Sequence, residues 1–171
     1  MDIRTQLLEE HSKENSKLIA KYIGENKSRV EELLNLFLGE EYRVTQRSSM
    51  VFAIISDKYP DLLAPHIERL VGVLCNKETI ESVLRVTVRF FQFYKIPEAF
   101  EGVVLERCYE LLKDLEKGVA IRAFSIAVIY NISEPYSELK NELKLVLEDL
   151  YTEGSPGLEG RRRTYLKKLK D

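Results

Sequence analysis

The chain has 171 residues, 44% of them hydrophobic and 32% charged, and a formal net charge of −2. That length and balance fit one sizeable globular domain and exclude a disordered chain. No apolar run approaches the roughly 20 residues that span a bilayer, and the N-terminal stretch MDIRTQLLEEHSKENS is too charged for a signal or transit sequence, so a cytoplasmic protein with no membrane role is expected.

From the N-terminus, apolar residues recur at helical spacing and are punctuated by glycine and proline. The first predicted hairpin pairs helices at 4–23 and 27–38, stopped by Gly24 and Gly39. The second, at 41–58 and 61–75, sets the pattern for the rest. Its first helix carries Val44, Met50, Val51, Ile54 and Ile55 along one side, and Pro60 stops it. Asp61 then supplies an N-cap, and Leu63, Ile67, Leu70, Val71 and Leu74 stripe the second helix. A third hairpin is predicted at 77–95 and 98–116, closed by Gly118, and a fourth at 119–132 and 136–151. The run Gly154-Ser155-Pro156-Gly157 breaks the chain before a last helix, 158–170, that has no partner in the sequence.

The hairpins read as imperfect copies of one another. Pro60, Pro97 and Pro135 lie 37 and 38 residues apart, and Arg47, Arg85 and Arg122 keep the same step. The string Arg-Val-Thr-x-Arg at 43–47 recurs at 85–89, an offset of 42. The proline register is preferred because it equalises the helix lengths. A single hairpin leaves most of its apolar area in water, so the copies must stack on each other.

The second hairpin combines an arginine and small-apolar stripe, a proline turn and the second helix PDLLAPHIERLVGVL. That pattern resembles a HEAT repeat, and the likeness runs from about Glu25 to Leu150. The resemblance implies an all-α fold, a right-handed αα-superhelix of about four stacked helical hairpins plus a C-terminal capping helix, in a single HEAT-like domain over 1–171. It implies that second helices line a concave side and first helices a convex one. It also implies a surface that binds other macromolecules.

On that geometry the charge is sorted. The second helix at 98–114 holds Glu98, Glu101, Glu106, Glu110 and Asp114 against Arg107 and Lys113. The one at 136–151 holds Glu138, Glu142, Glu148 and Asp149 against Lys140 and Lys144. Glu101, Glu106, Glu110, Glu138 and Glu142 are therefore expected to line an acidic concave face that repels phosphate and attracts a basic protein partner. The last helix is basic. Its Arg161, Arg162, Arg163 and Lys167 are candidate anion contacts, joined by Lys168 and Lys170 and opposed by Glu159 and Asp171. The simpler reading is a cap, in which Leu158, Tyr165, Leu166 and Leu169 seal the last hairpin and the basic residues face water.

The first helices carry Arg43, Arg47, Arg85, Arg89 and Arg122. The resemblance implies that such arginines bond acids or carbonyls of the adjacent repeat; the other reading is an anion-binding strip. Phe90, Phe91, Phe93, Tyr94 and Phe100 are expected in the core rather than as a base-stacking platform, because the helix that follows them is acidic. Cys75 and Cys108 stand 33 residues apart without a CxxC, and His11 and His66 are the only histidines, so reduced thiols and no metal site are expected.

Catalytic signals are thin. There is no phosphate-binding glycine loop, no Gly-x-Ser-x-Gly and no His/Cys/carboxylate constellation, so neither catalytic residues nor a cofactor are assigned. The leading expectation is a non-catalytic interaction scaffold. The alternative is a nucleic-acid-binding or DNA-repair module similar to the alkylpurine glycosylases, although that resemblance implies a basic groove with tryptophans, and the chain has no tryptophan. A weaker alternative is a lyase-like enzyme, on the likeness of Ser48-Ser49-Met50 to the start of the fumarase and adenylosuccinate lyase signature; no Pro, Lys or Asn follows in register.

Overall fold

The computed structural model describes residues 1–170; Asp171, counted above against the basic charge of the last helix, lies outside the described residues. Those residues form ten α-helices and one 3-10 turn, with no strand among them. The chain divides into two compact units, Met1–Phe90 and a second that begins at Phe91. The division falls at the C-terminal end of α6, before the non-helical residues 92–97.

The first unit opens with α1 (Ile3–Glu9) and α2 (Lys13–Ile23), where the sequence predicts one helix over 4–23. The break is made by polar residues. Ser12 caps α2 by accepting from the Asn15 amide, and the Asn15 carboxamide donates to the carbonyls of Gln6 and Glu10, tying the corner together. Gly24 ends α2 at φ 52°, a conformation that a Cβ disfavours, and its amide bonds Ala20 O. Asn26 then caps α3 (Lys27–Phe37).

Helix α4 (Tyr42–Lys58) packs on α1, α2 and α3. Its stripe buries Val44, Val51, Phe52 and Ile55, and the Phe52 ring stacks on Phe37 at 4.3 Å and meets Phe90 edge-on at 6.2 Å. Met50, placed on this stripe by its spacing, is exposed instead. After α4 the chain runs as a 3-10 turn over Pro60–His66, and only then as α5 (Ile67–Cys75). Asp61 is thus the second residue of a 3-10 turn rather than an α-helical N-cap. Pro65 explains the difference, because it lacks an N–H and disfavours the α conformation at Ala64. Helix α6 (Glu81–Phe91) is shorter than the predicted 77–95, since Asn76 and Thr79 close a turn before it.

In the second unit, α7 (Glu98–Lys113), α8 (Val119–Ser133) and α9 (Ser137–Glu148) follow the predicted ranges within about three residues. Helix α8 is apolar on nearly all sides, with Ile121, Ala123, Ile126, Ala127, Val128 and Ile129 buried. Such a helix is stable only when surrounded, and α8 packs against α7, α9 and α10 (Pro156–Lys168). Helix α10 begins at Pro156, two residues before the predicted start, because proline fits the first helical position. It packs on α8 and α9, burying Leu158 and Tyr165, and so closes the last hairpin as a capping helix should. The starts of α4, α6 and α8 at Tyr42, Glu81 and Val119 are 39 and 38 residues apart, nearer the proline step than the offset of 42.

Candidate functional site

Helix α7 presents Gly102, Glu106, Tyr109 and Lys113 on one stripe, at steps of four, three and four residues. With Leu105, Glu110 and Glu142 of α9, these residues line a groove of about 410 Å³. Tyr109 is only 9% exposed, and its hydroxyl has no hydrogen-bond partner among the described residues. An orphaned buried hydroxyl costs about 1–3 kcal/mol. Burial, and after it the negative charge of Glu142, pushes the phenol up to about 12. The Lys113 ammonium lies over the Tyr109 ring, 5.4 Å from its centroid, within cation–π range.

The carboxylates of the groove differ in their company. Glu110 is paired at 2.7 Å with Arg107, whose side chain is only 10% exposed. Glu106 and Glu142 have no hydrogen-bond or ion-pair partner among the described residues, and Lys113 makes no ion pair there either. The groove therefore offers two uncommitted carboxylates above an unsatisfied phenol.

Of the five glutamates expected on one face, the structure brings three together. Glu101 lies five residues from Glu106, about 140° round the helix. It lines a separate cavity of about 430 Å³ with Phe93, Tyr94 and Pro135, and its carboxylate stands 3.5 Å from the Tyr136 hydroxyl. Glu138 is exposed one turn before Glu142, outside the groove lining. Tyr109 and Lys113, by contrast, belong to the site and were not singled out by the sequence. The signal was present in their step of four on the stripe of Glu106, but aromatic residues at helical spacing read as core.

Much of the basic charge of α10 is engaged within the unit. Arg161 donates to Gln92 Oε1 at 2.9 Å. Arg162 donates to both oxygens of Glu159 and to the Leu147 carbonyl, and Arg163 donates to Glu159 Oε1 as well. These partners and Thr152 hold the Glu159 carboxyl at about 2, below its ordinary range, with the Arg162 bond the largest cause. Arg163, 76% exposed, and Lys167 point their charge to solvent. Lys168 sits 4.8 Å from the Tyr165 ring centroid.

The first-helix arginines split into three kinds. Arg47 donates to the carbonyls of Leu7 and Leu8 at the end of α1, and buried Arg122 to those of Leu112, at the end of α7, and Tyr151. Arg89 forms a two-bond pair with Asp57. Arg43 and Arg85 are exposed and have no partner among the described residues.

Of the aromatics expected in the core, Phe90 and Phe91 are buried, whereas Phe93 is 75% exposed because it follows the end of α6. Ser48 and Ser49 are buried and both donate to Thr45 O, which leaves neither hydroxyl facing a substrate. Cys108 is buried and Cys75 half-buried, and neither is in a disulfide. Among the described residues no group of three or more His, Cys, Asp or Glu is placed to hold a metal ion, and no helix is long and apolar enough to cross a membrane.

No curated protein and no solved structure matches the chain. The HEAT repeat domain family matches residues 3–169, nearly the whole length, and covers both units and the capping helix. With ten helices among the described residues and a repeat step of 38–39 residues, the chain belongs to the HEAT repeat domain family.

Proposed function

We propose that the protein is a non-catalytic cytoplasmic scaffold, one HEAT repeat domain over 1–171, that takes a basic segment of another protein on the acidic face of α7 and α9. The observation that carries this reading is the groove of Glu106, Glu110 and Glu142, in which two carboxylates have no internal partner. Helices fix the spacing of these charges before a partner arrives, which lowers the ordering cost of binding. HEAT repeats are helical scaffolds that often mediate protein interactions, and two cysteines outside any disulfide fit a reducing compartment. The nucleic-acid reading is disfavoured by the absence of tryptophan and by the internal bonds of Arg161 and Arg162. The lyase reading is disfavoured by the buried Ser48 and Ser49.

Fluorescence anisotropy with a labelled basic peptide, duplex DNA and single-stranded DNA tests this. The peptide is expected to bind at low salt and weaken by about 0.15 M salt, where exposed charges are screened beyond roughly 8 Å. Replacing Glu106, Glu110 and Glu142 together by Gln should cost about tenfold or more in affinity. Submicromolar DNA binding that survives neutralisation of Arg161, Arg163 and Lys167, with no peptide binding, would replace this reading by the nucleic-acid one.

A further inference from the structure

The groove on α7 carries a feature that general acidity does not explain. Tyr109 keeps its hydroxyl buried and without a partner, while its ring is already covered by a cation of the same helix, Lys113. Lys113 is exposed and bonded to no carboxylate, although Glu106, Glu110 and Glu142 line the same groove. Its ammonium is therefore held only loosely, at 5.4 Å from the ring centroid.

We propose that the Tyr109 ring, with the carboxylates of Glu106 and Glu142, is an anchor for one arginine side chain of the partner, and that Lys113 occupies it in the free protein and swings aside on binding. The inference rests on the acidic face being the binding surface. A guanidinium suits this site better than an ammonium. It stacks flat on an aromatic face and still has donors left at its edge. Glu142 and Glu106 accept those donors at the edge of the stacked guanidinium. Lys113 is a flexible chain on the last turn of α7 and can leave without disturbing the helix.

Two labelled peptides of equal length and charge, one built on arginine and the other on lysine, decide the matter with the full chain. The arginine peptide should bind the wild type roughly three- to tenfold more tightly. Lys113→Met should tighten the arginine peptide by more than Lys140→Met, which removes a like charge from α9 outside the groove lining. Tyr109→Leu, which removes the ring, should weaken the arginine peptide about threefold, whereas Tyr109→Phe should leave its binding unchanged and raise the melting temperature, because it deletes only an unsatisfied hydroxyl.

If both peptides bind alike, the two lysine variants gain equally, and Tyr109→Leu leaves the affinity for the arginine peptide unchanged, the anchor is wrong and the acidic face stands. If neither peptide binds at low salt, the acidic face and the anchor fall together.

Discussion

At the scale of single residues, arginine divides into charges that hold the fold and charges that face water. Arg122 is buried, its donors go to backbone carbonyls at two helix ends, and no carboxylate accompanies it. Arg122→Met should therefore strand these carbonyls and cost about 2–4 kcal/mol in urea denaturation. Arg43→Met and Arg85→Met, which remove exposed and unpartnered guanidinium groups, should stay within about 0.5 kcal/mol. A large loss at Arg43 or Arg85, or none at Arg122, would reverse this division.

At the scale of elements, α10 depends on Glu159 as much as on its apolar side. The carboxylate gathers Thr152, Arg162 and Arg163, and so ties the first turns of the helix to the segment before it. The folded chain holds it at about 2, below its ordinary 4.5, so the ionised form favours folding. That contribution is whole above about pH 4.5 and fades as the pH falls towards 2. Glu159→Gln should lower the melting temperature by roughly 2–4 °C at neutral pH, and the gap to wild type should close as the solution is acidified; a gap independent of pH would refute the assignment. Elements were also where the sequence spoke most clearly. Proline, glycine and the helical period act locally, so Pro60, Pro97, Pro135 and Gly24 marked the hairpins without tertiary information. The corner between α1 and α2 escaped because its cause is the reach of Asn15 to carbonyls five and nine residues back. The 3-10 turn before α5 was carried by a second proline, Pro65, whose weight the apolar stripe concealed. The groove was half legible. Counting charges finds α7 and α9, but counting ignores direction, so it groups Glu101 with Glu106 across 140° or so of helix, and it passes over uncharged Tyr109.

At the scale of the whole molecule, the division between Phe90 and Phe91 falls at the C-terminal end of α6. If the chain is one domain, as proposed, calorimetry should give a single transition whose calorimetric and van't Hoff enthalpies agree, near about 120 kcal/mol at 60 °C. Two resolved transitions would make the units independent and overturn the single domain. A further consequence follows from the way the helix ends close. Arg29 holds the Tyr22 carbonyl of α2, Arg47 the end of α1, Arg122 that of α7 and Arg162 that of α9. A guanidinium stays charged over ordinary pH and a carbonyl does not titrate, so these four closures are indifferent to acid. They also share no residue with the uncommitted carboxylates Glu106 and Glu142. What fastens the helices and what addresses a partner are thus written in separate letters. An evolving lineage can rewrite the address one glutamate at a time, redirecting the chain to a new partner while the fastenings go unread by that selection.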